Sequence, residues 1–174
     1  MEFGDRSRFS IAFELDRDHG GIWLFGRICY WIAEAMVGDY DVGTSLRDVL
    51  FQMTPIMGDG GKRTCPKLLR LKKEKIADLI LAALDDTSDE IYQYTSRDFL
   101  PARFDVRIPV DVFDSWKVFL VEGEENAKLL YRGIESSEVV ATNLAPGEFD
   151  RVFCEAQAHL ERLYEEEVAR EGGS

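Results

Sequence analysis

Residues 9–15, Phe-Ser-Ile-Ala-Phe-Glu-Leu, alternate apolar and polar positions. Phe9, Ile11, Phe13 and Leu15 share one face, which predicts a strand with one buried side. The turn cluster Asp16–Gly21 follows, where Gly20 and Gly21 can supply positive φ. Residues 22–32 then place Ile22, Leu24, Ile28, Tyr30 and Ile32 on one face. Trp23, Phe25, Cys29 and Trp31 fall on the other, with Arg27 the only charge. A strand apolar on both sides is covered above and below, so Trp23 and Trp31 are expected beneath helices. Gly26 in its middle predicts a bulge or a close backbone approach. A third strand is expected at 36–41.

From Thr44 the period changes from two to 3.6. Thr44 or Ser45 caps a helix, and Ser45 with Asp48 has capping-box spacing. Leu46, Val49, Leu50 and Met53 form its buried stripe, and Pro55 with Gly58–Gly61 ends it. A second helix is predicted at 72–84, with Ile76, Leu79, Ile80, Ala83 and Leu84 inward. Strand patterns return at 103–110, 115–123, 126–133 and 137–144, the last three spaced as an antiparallel meander. A long helix starts near Pro146, with Phe149, Val152, Phe153, Ala156, Leu160, Leu163 and Tyr164 in one stripe. The sum is an α+β domain spanning residues 1–174. It has an antiparallel sheet of about six to seven strands packed with three helices.

Charge changes the picture. The 33 acidic and 21 basic residues give a formal net charge of −12, with a pI near 4.6. That balance disfavours nucleic acid and anionic membrane as partners, since phosphate binding needs clustered Lys and Arg. It favours a basic partner, or solubility alone. The N-terminus lacks the basic-then-apolar pattern of a signal peptide. No apolar run approaches the ~18–20 residues that span a bilayer. The cytoplasm is the expected compartment. Three widely spaced cysteines, Cys29, Cys65 and Cys154, form neither a disulfide framework nor a zinc knuckle.

Candidate chemistry is sparse. The loop Gly58–Lys62 suggests a phosphate loop, but that pattern needs Gly at 56 and Ser or Thr at 63, where the chain has Ile56 and Arg63. His159 lies one helical turn after Glu155, a spacing that offers two metal ligands where sites need three or four. His19 lies in a turn. Lys62, Arg63 and Lys67 flank Cys65 and would lower its pKa, yet no base is positioned by the sequence. Neither a metal nor another cofactor is expected.

Acidic clusters recur at Asp39 and Asp41, at Asp85–Glu90, at Glu122, Glu124 and Glu125, and at Glu165–Glu167. Two of them accompany aromatics, Tyr40 and Trp116, and aromatic anchors beside charge are what protein interfaces favour.

The segments "EFGDRSRFSIAFELD", "WLFGRICYWI" and "VGDYDVGTSLRDVL" resemble the N-terminal half of the immunity protein 42 family of bacterial polymorphic-toxin systems. The similarity runs through Phe3-Gly4-Asp5, the strand at Phe9, the Trp23–Ile32 strand, and Gly38-Asp39-Tyr40 leading into Thr44–Asp48. It covers about the first 55 residues. The resemblance implies a cytosolic protein that binds and neutralises a cognate toxin, with no catalysis and no catalytic residues to carry over. A basic toxin acting in the cytoplasm would be steered toward an acidic inhibitor. The candidate contact residues are Asp39, Tyr40, Asp41, Trp116, Glu122, Glu124 and Glu125, on a monomer or homodimer. Two alternatives stand beside this one. They are an enzyme using Cys65 or His159, and a homodimeric scaffold that buries the tryptophans of 22–32.

Overall fold

A computed structural model describes residues 1–172. Among them are eight strands in two antiparallel sheets and four α-helices, an α+β architecture with a long C-terminal helix. The first sheet contains β1 (Glu2–Asp5), β2 (Phe9–Leu15), β3 (Phe25–Ile32), β4 (Ala35–Val37) and β5 (Thr44–Ser45). β4 and β5 both pair with β3. The second contains β6 (Trp116–Glu122), β7 (Ala127–Gly133) and β8 (Val140–Leu144). The helices are α1 (Leu46–Gly58), α2 (Pro66–Leu69), α3 (Lys73–Leu84) and α4 (Glu148–Gly172).

The alternation of residues 9–15 is matched across β2 and β3, from Phe9 opposite Ile32 to Leu15 opposite Gly26. A Cβ on Gly26 would collide with the Glu14 carbonyl, which is the close approach anticipated there. The strand begins at Phe25 rather than Ile22. Gly20, Gly21 and Leu24 all adopt positive φ, and residues 21–23 form a single 3₁₀ turn. The expected third strand shortens to Ala35–Val37, joined to β3 by a two-residue turn with Ala33 and Glu34 at φ 51° and 66°. Positive φ at both positions is the turn geometry that matches strand twist.

Ser45 caps α1, its Oγ accepting the Asp48 N–H at 3.2 Å. Pro55 does not end this helix, which runs on to Gly58. A proline late in a helix removes one hydrogen bond, but only the last turn follows it. At α4, Glu148 Oε2 accepts the Ala145 N–H at 2.9 Å while the Glu148 N–H donates to the Ala145 carbonyl. That reciprocal pairing closes the N-terminus.

Residues 103–110 alternate as a strand should but do not join a ladder. They begin in a 3₁₀ turn, Pro101–Phe104, and touch β6 through one bridge, Asp105 to Phe119. Phe104, Val106 and Ile108 are nevertheless fully buried. Pro109 has no N–H to give a neighbouring strand.

The second sheet is the shared wall of two cores. Val118, Leu120, Leu129 and Tyr131 face the larger core, with the inner side of the first sheet, α1 and α4. Phe119, Val121 and Leu130 face the smaller one, with α2 and α3. The inner side of the first sheet packs on the larger core through Phe9, Ile11, Phe13, Ile28, Tyr30 and Ile32. On its outer side Phe25, Arg27 and Met36 are exposed and Trp31 is half-buried, while Ser10, Ala12 and Cys29 are buried.

Arg63 is fully buried. Its Nε donates to the Arg103 carbonyl at 2.8 Å, one terminal nitrogen to Asp150 Oδ1 at 3.1 Å, and the other to the Ile56 carbonyl. One guanidinium thus fastens the end of α1, the turn at 101–104 and the start of α4.

Candidate partner-binding surface

The outer face of the first sheet is set by the parity of β3. Phe25, Arg27, Cys29 and Trp31 point outward, and Met36 sits opposite Trp31 on β4. Trp23 and Phe25 are 45% and 44% exposed, which overturns the expectation that the tryptophans lie beneath helices. Trp23 stacks on Phe25 with a 6.2 Å centroid separation, and the Arg47 guanidinium covers its ring at 3.7 Å. Trp31 is half-buried under the Arg6 guanidinium at 4.2 Å, and Arg6 is held by Glu2 through Nε at 2.8 Å and Nη2 at 2.7 Å. Beside Trp31 lies a dimple lined by Arg6, Ala12, Cys29, Trp31, Met36 and Tyr40.

Of the sequence candidates, Asp39, Tyr40 and Asp41 form the rim of this face. Asp39 and Asp41 are exposed, and Tyr40 donates to Glu14 Oε2 at 3.3 Å. Burial, then the Glu14 carboxylate, raises the Tyr40 pKa. The Asp39 N–H donates to the Val112 carbonyl at 2.7 Å, seating the loop on residues 111–113 just ahead of β6. Trp116 opens β6, half-buried against Tyr131 at 5.9 Å.

The three glutamates lie elsewhere. Glu122 closes the same strand, about 20 Å from Trp116 at ~3.3 Å per residue. It is 6% exposed. Burial raises its pKa, with Asp150 adding to the rise and Arg63 opposing it. Its side chain belongs to the interior around Arg63, which corrects its assignment to an acidic surface cluster. Glu124 and Glu125 are exposed in the β6–β7 turn, beside α2. The seven candidates therefore fall into two regions, the Asp39–Asp41 loop linked through residues 111–115 to Trp116, and the three glutamates at the far end of β6.

The chemical candidates are occupied by internal contacts. Cys65 is buried, its thiol pKa is raised by that burial, and its Sγ contacts the Tyr94 carbonyl at 3.5 Å. The cation beside it in sequence, Arg63, turns inward to Asp150. His159 packs against Phe3 and Phe13, at 5.5 and 5.9 Å, with Nδ1 at 2.7 Å from Arg162. Burial, then Arg162, lowers its pKa. Glu155 pairs with Arg151 at 3.2 Å, not with His159. His19 sits 3.2 Å from Glu167. In the Gly58–Lys62 loop, the Gly61 N–H donates to Asp150 at 3.3 Å and Lys62 Nζ to the Gly58 carbonyl at 2.6 Å. Its groups already serve the chain's own carboxylate and carbonyl. Among the described residues, no group of three or more His, Cys, Asp or Glu could hold a metal, and no helix is long and apolar enough to cross a membrane.

Sequence reasoning placed Glu14 outward on its strand but missed Trp31, Met36 and Arg6 as surface residues. The signal was the outward parity of β3, set aside because both faces looked apolar.

Solved structures give the class of fold. The chain superposes on the crystal structure of CdiI from Burkholderia dolosa AUO158 with a TM-score of 0.73, covering 91% of this chain and 99% of that one. Identity is 18%, so the likeness is one of fold. No curated protein matches the chain in sequence. The family model for immunity protein 42 matches residues 1–159, and the chain belongs to that family. It is an immunity protein, whose task is to neutralise a toxin.

Proposed function

We propose that the chain, acting as one domain, blocks its cognate toxin by stoichiometric binding in the cytoplasm and performs no chemistry of its own. The toxin contact is centred on the outer face of the first sheet and its rim, Asp39, Tyr40 and Asp41. The observation that carries this reading is a dimple on the outer sheet face, lined by Trp31, Met36 and Tyr40, with Met36 exposed and the other two half-buried. Aromatic and methionine side chains on an uncovered face are the anchors of protein interfaces. A contact of ordinary size takes about 800 Å² from each partner, so the rim contributes beside the sheet face. The net charge of −12 supports a basic toxin, because opposite charge accelerates encounter and rejects acidic partners. Glu124 and Glu125, in the β6–β7 turn, are left outside this contact.

The test is protection of bacteria expressing the toxin domain encoded beside this gene. The wild-type chain protects, and the purified pair binds one to one. Asp39→Lys with Asp41→Lys weakens binding and flattens its salt dependence. Full protection by that variant, with unchanged binding, refutes the placement. Failure of the wild type to protect refutes the function.

A further inference from the structure

The dimple beside Trp31 is built to take a small guest. Ala12 and Cys29 stand opposite each other in the β2–β3 register, and their small side chains form its floor. Trp31 follows two residues after Cys29 on the same face and pairs with Met36 across β3 and β4, which makes one wall. Tyr40 makes the wall toward Glu14, to which its hydroxyl donates at 3.3 Å. On the β1 side Arg6 lies over the Trp31 ring. Its anchor Glu2 stands opposite Ala12 and accepts the Ser10 hydroxyl at 2.9 Å. The space between these residues is about 150 Å³. An apolar cavity of about that size takes one benzene molecule, so the dimple has room for a single ring or branched aliphatic side chain.

The charges around it decide the kind of guest. Burial pushes the Cys29 thiol up to about 11, so the floor is uncharged at neutral pH. The indole already carries the Arg6 guanidinium at 4.2 Å, and a cation entering beside it would meet like charge. Arg6 is paired with Glu2, and Arg27 stands opposite Glu14. Exposed Glu34, whose N–H donates to the Arg6 carbonyl at 2.8 Å, lies at the edge. With exposed Asp39 and Asp41 on either side of Tyr40, it leaves a surplus of negative charge there. Arg8, the next cation, turns to the α4 side and pairs with Glu148 at 3.2 Å. An uncharged floor inside a negative edge suits an apolar side chain with Lys or Arg beside it. A symmetric pair of copies would set the same carboxylates against one another.

We infer that the dimple receives one uncharged side chain of the cognate toxin, a ring or a branched aliphatic, carried by a segment with Lys or Arg beside it. This inference rests on the toxin-neutralising reading. It adds the anchor point, the element that sets the lifetime of a complex, because side chains seated in a pocket dominate interface energies while rim charges set association rates.

The experiment measures binding kinetics of the purified full-length chain with the purified toxin domain encoded beside it. Two variants act on the dimple. Ala12→Met fills it from the floor, where the side chain already points outward. Met36→Ser removes one apolar wall at an exposed position. Each should dissociate at least about tenfold faster than wild type. Ala12→Met decides the matter where its melting temperature matches that of wild type, and Met36→Ser decides it otherwise. Wild-type dissociation in the deciding variant overturns the inference while the neutralising function stands. Glu34→Gln with Asp41→Asn should slow association and leave dissociation unchanged, and unchanged association there overturns the basic flank. Light scattering that finds a wild-type dimer, made monomeric by Ala12→Met, overturns the inference in favour of self-association. No binding by the wild type removes the functional reading and this one with it.

Discussion

Replacing Arg63 with methionine tests a buried set of polar contacts that joins three parts of the chain. Methionine keeps the volume and apolar stem of the side chain and deletes the fork. The Arg103 and Ile56 carbonyls then lose their donor, and Asp150 its cation. A buried acceptor left dry costs about 1–3 kcal/mol, and breaking a buried ion pair costs about 3–5 kcal/mol. These overlap, because one guanidinium serves all three acceptors, so the expected loss is about 4 kcal/mol. For a chain of this length that lowers the melting temperature by about 8–16 °C. Urea and thermal unfolding followed by circular dichroism give the number. Arg63→Lys should recover less than half of it, since a single ammonium cannot span acceptors on three elements. Combining Arg63→Met with Asp150→Asn should cost less than the sum of the single changes, with a coupling of about 1–3 kcal/mol. A loss below about 1 kcal/mol for Arg63→Met, the worth of a solvated pair, would refute the reasoning. So would full rescue by lysine.

Three further outcomes follow from geometry already described. Ala33→Asn with Glu34→Gly should raise stability by about 1 kcal/mol, because both positions hold the left-handed conformation that costs an ordinary residue about 1–2 kcal/mol; equal or lower urea midpoints would contradict this. Burial raises the Glu122 pKa in the folded state above the ordinary glutamate value of 4.5, so the stability it contributes is complete below that value and is lost as pH rises through the folded pKa. Glu122→Gln should therefore be more stable than wild type at pH 7, with the gap closing toward pH 4, and a pH-independent gap would count against that cause. A thiol reagent at neutral pH should modify Cys154, which is exposed, long before Cys65 and Cys29, whose pKa values are raised by burial, that of Cys29 to about 11. Rapid labelling of Cys65 would be the contrary result.

Much of this fold was written in local pattern. The period-two run at 9–15, the Ser45–Asp48 cap, the meander and the stripe on the last helix all depend on neighbours in sequence, and all appear where expected. What escaped the pattern was decided by distant partners. β1 is four residues long and contains a glycine, too little to show a period. Residues 103–110 look like a strand because Phe104, Val106 and Ile108 alternate, but Pro109 and the 3₁₀ turn leave them buried without a ladder. Arg63 reads as one more loop cation beside Lys62, and only the tertiary convergence of α1, α4 and residues 101–104 makes it interior. Glu122 follows from that, since a carboxylate ending an apolar strand looks like the start of a turn until the residues beneath it are known. The surface was least legible. An outward aromatic and an inward one are the same letter, and the missing cover over Phe25 and Met36 is a property of the whole fold.

That missing cover has an evolutionary consequence. In β3 the residues at 28, 30 and 32 are bound to the packing of the core, whereas exposed Phe25 and Arg27, and Met36 opposite Trp31 on β4, carry no such duty. The outward set can drift, residue by residue, without disturbing the scaffold that holds it. Under the proposed contact, the letters that meet the toxin and the letters that fold the chain alternate along the same strand.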